Sequence, residues 1–163
     1  AQIQMSLLSK LIGEPMQNFA HKWANAEQDG DDSATIFSQY GGIKIAAAIG
    51  NTTLTIDNHT VANDGFFAKG EGVECAFNLV KIGETKAETP SSYIMEKCGK
   101  ELNFYFFAKP NEKVLFDLPK NAVAVKLENG SILPIKVSGN IGVVVAPKAK
   151  DNCRTLFKGS FVF

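Results

Sequence analysis

Apolar residues near the N-terminus recur at helical spacing. Leu7, Leu8, Leu11, Ile12, Met16, Phe19 and Trp23 lie three and four residues apart, which places them on one stripe of a helix. Gly13-Glu14-Pro15 interrupts this run. Pro15 lacks an amide donor and clashes with the preceding turn, so the helix kinks there or a second helix starts with Pro15 in its first turn. The polar run Glu27-Gln28-Asp29-Gly30-Asp31-Asp32 follows the helical segment, 1–26, as a solvated loop.

From Ile36 the period changes. Ile43 and Ile45, then Leu54 and Ile56, alternate with other residues, and Gly50-Asn51 between them predicts a hairpin. Phe66 and Phe67 lie in a glycine-bounded stretch. The run from Cys75 to Val80 fits a short helix or a strand equally. Thr89 to Ser92 reads as a loop, with Ser91 or Ser92 able to cap a short helix over Tyr93 to Lys97. After Gly99 the pattern is β: Leu102 to Ala108, Val114 to Phe116, Val123 to Leu127, Ile132 to Val137, Ile141 to Ala146 and Thr155 to Phe163. Pro110-Asn111, Pro119, Asn129-Gly130 and Gly139-Asn140 separate these runs, and Asn129-Gly130 is the strongest hairpin signal. The expectation is an α+β fold: an N-terminal amphipathic helix packed on antiparallel sheet or sandwich, with the β-rich body over 36–163.

Length and composition narrow the classes. A chain of 163 residues is one domain, 1–163, large enough to bury its own core. Hydrophobic residues are 45% and charged residues 21%, which argues against disorder. Lys+Arg and Asp+Glu are 17 each, so there is no global field for nucleic acid or an anionic membrane. No apolar run reaches the ~18 residues of a membrane span. Cys75, Cys98 and Cys153 form no close-spaced pair, so a zinc or redox motif is not expected. An odd count allows one disulfide and one free thiol, and spacing does not choose among the three pairings.

Candidate chemistry is sparse. His59, Asp64 and Ser138 could compose a hydrolase triad, but nothing in their spacing requires contact, and the serine lacks the preceding glycine of a nucleophile turn. Cys98 before Gly99 is an equally weak nucleophile candidate. Gly70-Glu71-Gly72 lacks the third glycine of a dinucleotide fingerprint and reads as a turn. Asp29, Asp31 and Asp32 lack the bidentate Glu of a calcium loop. Asn51, Asn58 and Asn129 stand in Asn-x-Ser/Thr sequons in turn-like segments. Phe104, Tyr105, Phe106 and Phe107 should point alternately inward and outward, giving either core or a ring-stacking surface. No catalytic residue, metal site or cofactor is expected.

The order of these segments resembles the globular domain of type IV pilins, particularly the type IVb branch. It is carried by the leading amphipathic helix, Tyr40-Gly41-Gly42-Ile43-Lys44-Ile45, Thr53-Leu54-Thr55-Ile56, Cys75 in Val73-Glu74-Cys75-Ala76-Phe77-Asn78-Leu79-Val80, and Cys153 before the final strand, Phe157 to Phe163. It covers about two-thirds of the chain. The interruption at Gly13 and Pro15, the extra Cys98 and the many strands between Gly99 and Lys150 depart from the pattern. The resemblance implies a non-enzymatic subunit of an extracellular or cell-surface pilus, reached through the periplasm and inner membrane. It implies a Cys75–Cys153 disulfide, with Cys98 a buried free thiol, and a preceding apolar stem as the membrane contact. The stripe from Leu7 to Trp23 would pack on its own sheet and against other pilin subunits. The second expectation is a secreted β-sandwich binding module, adhesin or lectin-like, for a host-surface or glycan ligand.

Overall fold

Strands form here where β-branched and aromatic side chains can cover a pleated, half-buried surface. The computed structural model describes residues 35–40, 43–48, 50–70 and 72–163. Thirteen strands run through them: β1 (Thr35–Tyr40), β2 (Ile43–Ala48), β3 (Thr53–Ile56), β4 (His59–Gly70), β5 (Val73–Ile82), β6 (Thr85–Cys98), β7 (Glu101–Ala108), β8 (Lys113–Asp117), β9 (Ala124–Leu127), β10 (Ile132–Pro134), β11 (Lys136–Ser138), β12 (Ile141–Val145) and β13 (Thr155–Val162). No helix occurs among the described residues, so the α+β expectation is corrected to a β fold. The predicted helical segment and its stripe from Leu7 to Trp23 lie outside the described residues, as do Asp29, Asp31 and Asp32.

Ten strands make one antiparallel sheet, ordered β1-β2-β4-β5-β6-β7-β13-β9-β10, with β3 also paired to β4. A second sheet, β11-β12-β8, lies over it. The final strand is inserted between β7 and β9, pairing Phe157 with Phe106 and Phe161 with Val125.

The large sheet folds over on itself within β4 and β5. Asn63, Asp64 and Asn78 have φ of 49°, 61° and 54°, a left-handed conformation that Asn and Asp tolerate better than most residues. The register shifts in the same place, between Val61 and Phe66. Gly65 sits at the crease, where a Cβ would collide with the carbonyl oxygens of Phe77 and Ala62. Asn78 Nδ2 donates to Asn63 O at 3.0 Å and so ties the two creases together. The two halves of β4 then pair with different strands: His59–Ala62 with β3 and Phe66–Lys69 with β2.

This division overturns the predicted Gly50-Asn51 hairpin. β2 and β3 flank it in sequence, but each pairs with β4 rather than with the other. The ambiguous run from Cys75 to Val80 is strand. The predicted loop and helix between Thr89 and Lys97 are instead the second half of a 14-residue strand. Sheet pairing on both sides, to β5 and to β7, occupies that backbone and outweighs local preference. Ser91, a candidate helix cap, accepts a hydrogen bond on Oγ from Leu115 N at 2.9 Å and fastens β8 to β6. Asn129-Gly130 does form the β9–β10 turn, with Asn129 Oδ1 accepting from Ser131 N at 2.9 Å.

The core lies between the two sheets, with Phe104 at its centre. Phe104 is fully buried, with ring centroids 4.8 Å from Phe116 and Phe161, 5.4 Å from Phe106 and 5.8 Å from Tyr93. Alternation along β7 holds: Phe104 and Phe106 are buried, while Tyr105 and Phe107 are partly exposed. Phe104→Ala is expected to cost about 3–5 kcal/mol, from lost transfer energy and a residual cavity. The exposed-end control Phe163→Ala should stay within about 0.5 kcal/mol. Urea unfolding midpoints at constant slope check both.

Candidate functional site

The crease in β4 brings together groups far apart in sequence. His59 opens β4 after the two-residue turn Asp57-Asn58, whose φ values of 47° and 69° suit a tight hairpin. Its ring stacks on Phe67, with centroids 4.2 Å apart. Eight residues of straight strand would separate them by about 26 Å. His59 is 4% exposed. Nδ1 is 2.6 Å from Asp57 O and donates to it, leaving Nε2 directed inward. There Asp117 Oδ2 approaches to 2.7 Å. That approach is an ion-pair distance without hydrogen-bond alignment, and Nε2 has no aligned partner.

Glu74 completes the cluster. It stands in β5, 8% exposed, and Tyr93 OH donates to its Oε2 at 2.7 Å. Lys69 Nζ lies 3.5 Å from Oε1, across the β4–β5 pair. One donor atom from each of His59, Glu74 and Asp117 falls within 4.8 Å of the others. β4 and β5 belong to the large sheet, whereas Asp117 ends β8 in the small one.

Burial and mutual charge set the protonation of these groups. Burial pushes the Glu74 carboxyl up, the Asp117 charge adds to this, and the Tyr93 hydrogen bond only partly offsets it, leaving the group at about 7. Burial pulls His59 down, but Asp117, the Asp57 carbonyl and Glu74 outweigh it and hold the imidazole above its ordinary value. Burial raises Asp117, and His59 beside it more than compensates, so its carboxyl stays below the usual range.

The residues weighed from sequence are distributed differently. Of the triad candidates, His59 alone belongs to the cluster. Asp64 is exposed at the crease, where its Oδ1 accepts from Gly50 N at 2.7 Å. Ser138 is exposed at the end of β11. Gly70 and Gly72 flank the β4–β5 turn. Glu74, Asp117 and Tyr93 were not singled out as site residues. A carboxylate inside the apolar run Val73-Glu74-Cys75-Ala76-Phe77 was the available signal.

The three cysteines are free thiols, which corrects the Cys75–Cys153 disulfide. Cys75 is fully buried within β5, paired with Ala68 and Ile94, whereas Cys153 is exposed before β13. Cys98, expected buried, is exposed at the end of β6. Burial pushes the Cys75 thiol well up, with Glu74 and Glu96 adding to the effect.

No protein-family model matches this sequence, no curated protein matches it, and no solved structure matches the fold.

The cluster makes stability depend on pH. Below the ordinary carboxyl value of 4.5, folded and unfolded chains both protonate Glu74. From there to about 7 only the folded chain keeps the proton, so stability falls as pH rises. His59 acts in the same direction: its contribution is complete below 6.5 and is lost as pH rises through its folded value. Asp117 opposes this at the acid end, contributing above 3.8 and losing that contribution as pH falls through its folded value. Stability should therefore decline between about pH 5 and pH 8, by an amount on the order of 3 kcal/mol from Glu74. Glu74→Gln should flatten that decline, as read from urea midpoints across the range; parallel curves for the two proteins would contradict it. In a thiol titration of the native protein, Cys98 and Cys153 should react promptly and Cys75 only after unfolding.

Proposed function

We propose that this chain is a non-enzymatic binding domain that holds an extended, acid-flanked apolar segment of a partner polypeptide in the groove between its two sheets. The observation that carries this reading is the groove itself, about 570 Å³ in volume. Ala87, Leu115, Pro134, Ile135, Val143 and Val145 give it an apolar lining. Among the described residues, Lys86, Lys113 and Lys136 stand along it against a single carboxylate, Glu88, which Lys113 already engages at 3.0 Å. An apolar cleft with a net positive rim favours apolar side chains flanked by Asp or Glu.

Strand geometry adds to this. β11 is an outer strand of the small sheet, exposed along its whole length. Ile132, Val137 and Val145 are large apolar residues about half exposed or more. An exposed edge beside an apolar groove is the arrangement that strand addition uses, with main-chain hydrogen bonds for affinity and side-chain pockets for selection. A neighbouring subunit of an extracellular filament would be one such partner, so the pilus expectation becomes the assembly form of this proposal. A glycan ligand is the weaker form. Among the described residues no aromatic side chain lines the groove, and Tyr105, a partly exposed ring, lies on another face among Asn103, Lys126, Glu128 and Lys158.

The test is fluorescence anisotropy with a labelled peptide of alternating valine and aspartate, about eight residues long. Saturable binding that weakens with salt is expected. Val145→Trp fills the groove from a position already 46% exposed, so folding should be little affected. It should weaken binding about tenfold or more, equivalent to at least 1.4 kcal/mol. Equal binding by wild type and Val145→Trp would exclude the groove as the site.

A further inference from the structure

We propose that His59, Glu74 and Asp117 form a binding site for a single first-row divalent cation of the zinc type, clasping the large sheet to the small one. The three donors come from β4, β5 and β8, so an ion among them would link both sheets. Their contacting atoms lie within 4.8 Å of one another. An ion about 2.0–2.2 Å from each donor needs separations of roughly 3–4.4 Å, so small side-chain rotations suffice.

The imidazole is the independent indication. His59 is 96% buried on its 4% exposure, and its Nε2 has no aligned hydrogen-bond partner. Nδ1 is committed to the Asp57 carbonyl at 2.6 Å, so Nε2 is the nitrogen that faces the carboxylates, and an ion there would take the place of the Nε2 proton beside Asp117. A backbone carbonyl on the far nitrogen is the usual support for a metal-bound histidine. Stacking on Phe67 fixes the plane of the ring. Tyr93 OH orients Glu74 in the same way, at 2.7 Å. Two carboxyl groups and an imidazole this close need positive charge among them, which protons supply in the metal-free protein and a bound cation would supply in their place. Lys69, at 3.5 Å from Glu74, supplies part of it from the rim.

The donor set selects the ion. One imidazole with two carboxylates suits zinc and its neighbours, whereas calcium and magnesium prefer all-oxygen sites. The Asp117 side chain is 28% exposed, which gives the ion a way in and leaves a coordination position for water.

The test titrates zinc into the full chain by calorimetry and follows the melting temperature, with cobalt(II) as a spectroscopic substitute. One ion per chain is expected, with a rise in melting temperature as zinc is added. The cobalt spectrum should lack the intense sulfur charge-transfer band, because the thiols take no part. Asp117→Asn, at a partly exposed position, and Glu74→Gln should each weaken binding by about a hundredfold or more while the metal-free proteins stay folded. Absence of saturable binding would overturn the proposal. So would undiminished binding in both variants, or a sulfur band in the cobalt spectrum.

Discussion

Folding one half of a long strand over its other half requires backbone angles that most side chains resist. Asn63 and Asp64 adopt left-handed φ in β4, Asn78 does so in β5, and Gly65 leaves room where a Cβ would strike two carbonyls. This crease lets one strand serve two partners, β3 and β2, and turns an open sheet into a folded one. It also carries His59 onto Phe67. Val61 of the first half and Phe67 of the second accordingly belong to one buried cluster that also holds Tyr93, Phe104 and Phe116. Local strain of this kind persists only where the surrounding packing over-determines it. The fully buried Phe66, Phe67 and Leu79 beside the crease supply that packing.

A buried polar cluster in such a fold is costly, and its satisfaction is uneven. Tyr93 serves Glu74 and Asp57 serves His59 Nδ1, but Nε2 and Asp117 meet at short distance without alignment. Desolvation penalises the charged forms of all three titratable groups, and their close approach makes each group's protonation depend on the others. The same features that make the cluster expensive as a metal-free core make it suited to a cation. Position matters as well as chemistry: Asp117 belongs to the sheet that covers the core, so whatever neutralises the cluster also fixes the second sheet over the first.

The groove lies at the other side of that contact. β8 contributes Asp117 to the cluster at one end and Leu115 to the groove along its length, and Ser91 Oγ anchors its backbone at Leu115. A clasp on β8 and a partner in the groove would therefore act on one strand. The extended run from Ile132 to Ser138 pairs first with β9 in the large sheet and then with β12 in the small one, so its exposed residues border both.

Much of the fold was readable from local pattern. Alternation from Leu102 to Ala108 implied two inward and two outward rings from Phe104 to Phe107, and Asn129-Gly130 specified its hairpin, because period and turn chemistry act between near neighbours. The stretch from Thr89 to Lys97 was misread for the complementary reason: proline and serines favour a loop and cap locally, and only pairing on both sides makes that segment a strand. The resemblance to pilins implied a Cys75–Cys153 bridge, but Cys75 is sealed inside β5 while Cys153 remains at the surface. His59 was visible in the sequence as a rare titratable residue, but its partners were not. Glu74 and Asp117 are 15 and 58 positions away, and no local spacing rule joins them to it. The sequence by itself determined most of the strands after Gly99 and the turns between them, because these follow from neighbouring residues. Only the tertiary structure decided which polar groups share the interior, because a crease and a covering sheet bring distant residues within ångströms of each other.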